Sequence, residues 1–178
     1  AVFYSISNCQ KGLKGISFGN FLIKQVANAI RTDYPNIKDF VTLSPVPGFM
    51  DWLELNNNEL FKSIDNGQFI NETDEYKDDI LKNSLDYFFN SERSDKLPND
   101  SVARFHLGNG AYLHRINFLG DLSNKALNSA AGLMVNYKYD LDKIEENHEE
   151  FFKEKNIICS NEIQLMKKNY HKKKFKFG

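Results

Sequence analysis

Apolar positions recur along this chain in two rhythms, every second residue and every third or fourth, which divides it into short strands and amphipathic helices. Residues 2–8 read as a buried strand, and a turn-rich stretch carrying Gly12, Gly15 and Gly19 follows. Phe18, Leu22, Val26, Ala29 and Ile30 then recur at helical steps. That spacing predicts a helix with Ser17 as N-cap and Pro35 beyond its end. Residues 40–44 have the β-branched character of a short strand, which stops at Pro45 and Pro47. Strand, glycine loop, helix and strand together make one βαβ-like unit.

From residue 51 to about residue 100 the chain turns polar, with Asn56, Asn57 and Asn58 as breakers and an amphipathic helix expected over 76–89. This stretch reads as a helical excursion from the sheet. A short helix is expected over 101–110, closed by Gly108 or Gly110. Residues 111–119 and 133–139 look like strands, joined by a Ser/Asn/Ala segment of helical character. In the first of them Tyr112, His114, Ile116 and Phe118 alternate against Leu113, Arg115 and Asn117. An acidic helix over 142–155 and a last helix near 161–169 complete the pattern. The fold class is therefore α/β (α+β).

Composition narrows the function. With 178 residues the chain fits one domain of ordinary size. Basic and acidic side chains number 23 and 24, so no global positive field exists to draw nucleic acid or anionic lipid. No apolar run reaches the ~18 residues of a membrane span. Cys9 and Cys159 cannot make a disulfide framework, which points to a reducing compartment, and the absence of a targeting signal in these residues points to the cytoplasm. The chain opens directly on a strand and without an initiator Met, so earlier strands of a longer protein are expected to precede it.

Three places could carry chemistry. Backbone N–H groups over residues 14–20, at a helix start, would point at one spot, and the helix dipole favours an anion there by about 0.3–1 kcal/mol. Lys14 could add a point charge to a pyrophosphate, but neither the GxGxxG nor the Walker pattern is present, and the glycines could merely turn a corner. Ser44 ends the second strand immediately before Pro45, whose ring fixes the direction of its backbone. It is either a ligand-facing hydroxyl at the carboxyl end of a strand or a cap on the turn. No GxSxG elbow supports a hydrolase nucleophile. His106, between Phe105 and Leu107, could hold a proton near neutrality or be a hydrogen-bonded core residue. His114 reads as structural, His148 and His171 as solvated, and no histidine pair has metal-ligand spacing.

Several strings together resemble one family: Phe3-Tyr-Ser-Ile-Ser7, Gln10-Lys-Gly-Leu-Lys-Gly15, Gly19-Asn-Phe-Leu-Ile-Lys-Gln25, Leu43-Ser-Pro-Val-Pro-Gly-Phe49, Val102-Ala-Arg-Phe-His-Leu-Gly-Asn-Gly-Ala111 and Gly132-Leu-Met-Val-Asn-Tyr-Lys-Tyr139. They look like the C-terminal catalytic domain of malonyl-CoA decarboxylase, in matching order across nearly the whole chain. The resemblance implies a mixed sheet like that of the Gcn5-related N-acetyltransferases, here without its first strands. It implies that residues 1–178 are the C-terminal part of that domain, with the oligomer-forming N-terminal helical domain absent, so that the parent is a homo-oligomer.

By the same resemblance Ser44 and His106 fall on the family's catalytic serine and histidine. Lys14, Gly15, Ile16, Ser17, Phe18, Gly19 and Asn20 fall on the loop that cradles the CoA pyrophosphate, and Asn109 and Tyr139 would orient the acyl group. Some members carry a glutamate where this chain has Ser17, so a catalytic carboxylate there is in doubt. The implied partners are malonyl-CoA and acetyl-CoA, with no nucleic acid and no membrane. The implied reaction is decarboxylation without metal or cofactor, because the thioester itself is the electron sink. An acyltransferase or an acyl-CoA-binding module on the same fold are the alternatives.

Overall fold

The computed structural model describes residues 1–4, 6, 18–65, 68–91 and 93–174. Strand β1 (Val2–Tyr4) pairs in parallel with β2 (Val41–Pro45), Val2 lying opposite Val41 and Tyr4 opposite Leu43. Parallel neighbours need a crossover, and helix α1 (Phe18–Asp33) supplies it, as the βαβ reading requires. Strand β4 (Met134–Lys138) runs antiparallel to β2, and β3 (Tyr112–Asn117) antiparallel to β4, giving the order β1-β2-β4-β3 among the described strands. The expected mixed sheet flanked by helices is the one observed.

The stripe of α1 that packs inward keeps Ile30 of the predicted one and otherwise departs from it. Ile23 and Ala27 are buried and Ile30 half-buried, whereas Leu22 and Val26 are exposed. Positions 23 and 27 lie about 100° further round the helix than 22 and 26, and Ile30 borders both stripes. Two apolar stripes lie side by side, and the one containing the small Ala27 faces the core.

The polar excursion consists of α2 (Phe49–Asn56), α3 (Asn58–Ile64), a 3₁₀ segment (Gln68–Glu72) and α4 (Thr73–Phe89). The run of three asparagines is a junction of two helices, where the Asn57 side chain accepts the Leu60 N–H and caps α3. Phe49, Leu53, Ile80 and Phe88 from these helices are buried, each contributing on the order of 1.5–3 kcal/mol. The chain returns through α5 (Ser101–Gly108), then β3, α6 (Asn124–Ala130) and β4.

Simple alternation fails in β3. Leu113 and Ile116 are both buried although they differ by an odd number of residues. The register against β4 shifts between Leu113 and Arg115, so His114 forms a bulge that resets which face each side chain meets. After β4, α7 (Ile144–Glu149) runs into a π-helical turn (Glu150–Glu154), and α8 (Asn161–Lys174) closes the described chain. The outer edge of β3 is covered where Leu113 N–H donates to Ile158 O and Ser160 N–H to Leu113 O. Among the described residues no helix is long and apolar enough to cross a membrane.

Candidate active site

Strand alternation along β2 buries Thr42 and Ser44 and turns Leu43 and Pro45 outward. Ser44 thus reaches the end of the strand facing inward, just as Pro45 ends it. Helix α5 starts at Asp100, whose carboxylate accepts the Ala103 N–H at 2.7 Å and is held on its other oxygen by the Tyr87 hydroxyl at 3.2 Å. Burial raises the Asp100 pKa, while these two hydrogen bonds act against that. The carboxyl end of α5 is tied as well. His148 on α7 stands 2.7 Å from Gly108 O, and Asn147 Nδ2 donates to Gly110 O. His148 is therefore a structural donor, not the solvated group its charged sequence neighbours suggested.

Between these two anchors α5 carries His106, only 3 % exposed. His106 Nε2 lies 3.2 Å from Ser44 Oγ, and its Nδ1 lies 2.9 Å from the Tyr139 hydroxyl. Ser44 Oγ in turn donates to Thr42 Oγ1 at 2.9 Å. Four side chains thus form one buried line, Thr42, Ser44, His106 and Tyr139. The Tyr137 ring stacks on the His106 imidazole, centroids 4.8 Å apart and planes 23° from parallel. Burial raises the Tyr139 pKa, so its phenol stays protonated; the Asn109 amide beside it acts in the opposite sense. Asn109 Nδ2 is buried and closes no hydrogen bond among the described residues.

The line opens on a cavity of about 260 Å³ lined by Phe3, Leu43, Val102 and Phe105, with the polar groups of Ser44, Ser101 and His106 on its wall. Neither Asn109 nor Tyr139 is among its lining residues. Tyr139 meets His106 at the nitrogen away from Ser44, and the Asn109 amide lies beside Tyr139. Lys14, Gly15, Ile16, Ser17 and Cys9 lie outside the described residues. Phe18, Gly19 and Asn20 form the first turn of α1. Sequence reasoning missed Thr42, Tyr137, Asp100 and His148. The two-residue spacing of Thr42 and Ser44 within a strand, and an Asp just before the expected helix at 101, are the local signals that could have found two of them.

Burial also decides the charge of His106. With no charged neighbour to offset it, desolvation lowers the imidazole pKa to about 4, so the ring is neutral at neutral pH. Unfolded histidine titrates near 6.5. Between those values the unfolded chain binds a proton that the folded chain refuses, and stability rises with pH wherever the unfolded state binds more protons. The contribution is therefore complete above about pH 6.5 and is lost as pH falls toward 4, by on the order of 3 kcal/mol. Urea unfolding at pH 7 and pH 4.5 should show this loss in the parent and a smaller one in His106→Gln. Equal losses in both would place the His106 pKa near its ordinary value.

The family description for the malonyl-CoA decarboxylase C-terminal domain matches residues 1–176. The mitochondrial malonyl-CoA decarboxylase of Anser anser anser is 35 % identical over 92 % of this chain and 39 % of its own length. The Rattus norvegicus protein of the same description is 34 % identical, over 92 % and 40 %. The crystal structure of malonyl-CoA decarboxylase from Rhodopseudomonas palustris superposes with a TM-score of 0.84 at 44 % identity, covering 93 % of this chain and 41 % of that one. That from Agrobacterium vitis gives 0.85 at 45 %, over 93 % and 44 %. The chain spans about two fifths of the length of the curated relatives it matches. Fold, sequence and the family match over residues 1–176 agree, and the chain belongs to the malonyl-CoA decarboxylase C-terminal domain family.

Proposed function

We propose that this chain carries the catalytic residues for decarboxylation of malonyl-CoA to acetyl-CoA and CO₂. The observation that carries the proposal is the hydrogen-bonded line of Ser44, a neutral His106 and Tyr139, which ends on an apolar cavity at the carboxyl end of β2. Loss of CO₂ breaks a C–C bond and leaves its electron pair on the thioester as an enolate. Catalysis must stabilise that charge and then protonate the carbon. A carboxylate set against Phe3, Leu43, Val102 and Phe105 in this open cavity exchanges part of its water for apolar surface, which favours its departure as neutral CO₂.

In this reading Ser44, on the cavity wall, hydrogen-bonds the malonyl carboxylate or relays a proton, and His106 supplies the proton to the enolate carbon. Because His106 is neutral, that proton is an N–H proton. The Tyr139 hydroxyl at Nδ1 is placed to replace it, and solvent restores the balance of one proton taken up per turnover. Thr42, Asn109 and Tyr137 hold these groups in register. The CoA pyrophosphate is assigned to residues 14–20, supported by their place in the sequence between two parallel strands and at the start of α1.

The test is conversion of malonyl-CoA to acetyl-CoA and CO₂ by the full-length protein beside Ser44→Ala and His106→Ala. Activity in the parent that both substitutions abolish, with the fold kept, is the expected result. A folded parent that binds CoA and releases no CO₂ would establish a binding module instead, and acylation of an added amine without CO₂ an acyltransferase.

A further inference from the structure

A second cavity shares no lining residue with the reaction cavity. It has a volume of about 250 Å³ and sits between the carboxyl end of α4, the turn that leads into α5, the stretch after the π-helical turn, and α8. Lys96, Lys155 and Lys167 line it beside Asn90, Ser91 and Asn156, and no carboxylate does so among the described residues. Asp86 and Glu150 stand outside that lining, each held by one amide hydrogen of Asn90 or Asn156.

Two observations set this wall apart from an ordinary solvated one. Lys155 and Lys167 enter no ion pair among the described residues, although acidic side chains outnumber basic ones in the chain. Lys167 Nζ instead lies 3.6 Å from the centroid of the Phe89 ring, which also lines the cavity, so its charge is seated without being neutralised. The backbone is unusual at the same place. Of the four non-glycine residues with left-handed φ among the described ones, two are on this wall, Lys96 at +65° and Lys155 at +57°. Lys155 also follows directly on the π-helical turn. Irregularities of both kinds collect where a chain positions side chains for a ligand.

We propose that this cavity is a second binding site, which takes a phosphate monoester. The Lys155 and Lys167 ammonium groups supply charge-assisted donors to the three terminal oxygens of a dianion, and Asn90 and Asn156 each keep a second amide hydrogen on the same wall. The volume leaves room for part of the group that the phosphate esterifies. A chain of net charge −1 draws no anion by its overall field, so recognition here is local. Such a phosphate has two sources, the ribose phosphate of CoA or a separate phosphorylated metabolite.

Isothermal titration calorimetry of the full-length protein with glycerol 3-phosphate, at constant ionic strength, tests the site. The parent should bind it and should not bind glycerol. Lys155→Gln and Lys167→Gln should each weaken binding about 10-fold, the worth of one hydrogen bond to a charged group, and the double variant should lose it. Lys125→Gln on α6 makes the same change in net charge away from the cavity and should bind as the parent does; melting temperatures establish that all variants are folded. Displacement of glycerol 3-phosphate by CoA but not by dephospho-CoA supports the site and gives it to the ribose phosphate of CoA. Binding that saturating CoA leaves unchanged supports it as the site of a separate metabolite. A parent that binds no glycerol 3-phosphate at millimolar concentration overturns the proposal, leaving the lysines as charges at helix ends, as does a double variant that binds like the parent or a Lys125→Gln variant weakened as much as the others. The titration requires no turnover, so a parent without decarboxylase activity fails the functional reading and leaves this test standing.

Discussion

Replacing His106 with alanine should lower turnover of malonyl-CoA by two to four orders of magnitude, on the order of 10²–10⁴, the usual worth of a positioned proton donor. KM should move far less, because the cavity wall keeps Phe3, Leu43, Val102 and Phe105 and the CoA pyrophosphate is proposed to bind away from it. The imidazole meets Ser44 at one nitrogen and Tyr139 at the other, so its loss cuts the line into two halves that cannot pass a proton between them. His106→Asn restores some hydrogen bonding without a group that can take up one proton while releasing another, and it should be nearly as slow. A combined Ser44→Ala, His106→Ala variant should be no slower than the worse single variant, since residues that act as one unit are not additive. Circular dichroism and the melting temperature establish that the variants remain folded. A turnover within a few-fold of the parent in folded His106→Ala would remove this residue from the chemistry.

The parallel unit of β1, α1 and β2 was legible because its signals are local: a strand, a helical apolar period, and prolines that stop the next strand. Ser44 was legible for the same reason, its backbone fixed by Pro45. His106 was a weaker case. Its sequence surroundings suit a core histidine equally well, and only the fold brings it to a serine 62 residues away. Burial bears out the hydrogen-bonded core reading, and it is also what keeps the imidazole neutral.

Where local pattern misled, a second signal of equal strength was present. Helix α1 has two apolar stripes, and the choice between Leu22/Val26 and Ile23/Ala27 is made by the sheet beneath it. The alternation of β3 breaks at His114 because a bulge lets Leu113 and Ile116 share the core, which no two-residue period can announce. Thr42 and Tyr137 were invisible for another reason. They act through each other across 95 residues, by a side chain replacing a backbone acceptor in a ladder that sequence would draw as regular. His148, at the carboxyl end of α5, is of the same kind, whereas Asp100 at the other end is a local cap. Each holds the helix that carries the histidine without touching the cavity.

That support makes Gly110 the position where a single methyl group should do most harm. Gly110 has φ of +78°, in the left-handed region that costs an L side chain about 1–2 kcal/mol. A Cβ there would lie 2.2 Å from the Ile144 carbonyl oxygen, 2.7 Å from its Cγ2 and 2.9 Å from its carbonyl carbon. Two of those three atoms are backbone at the start of α7, so no side-chain rotation relieves the overlap. Moving α7 away breaks the Asn147 bond to Gly110 O and the His148 bond to Gly108 O, which hold the last residue of α5 and the turn just past it. Gly110→Ala should therefore lose about 3–5 kcal/mol of stability, the scale reserved for strained backbone combined with steric overlap. Urea unfolding of the full-length protein measures it directly. The same change releases the carboxyl end of the helix within one turn of His106, where Ala111 N–H also bonds to His106 O. Below its lowered melting temperature the variant should show a reduced kcat, because Nε2 no longer meets Ser44 at hydrogen-bond distance. A Gly110→Ala protein as stable as the parent would mean that α7 can shift without cost, and the close approach of α5 and α7 would then have no part in holding the histidine.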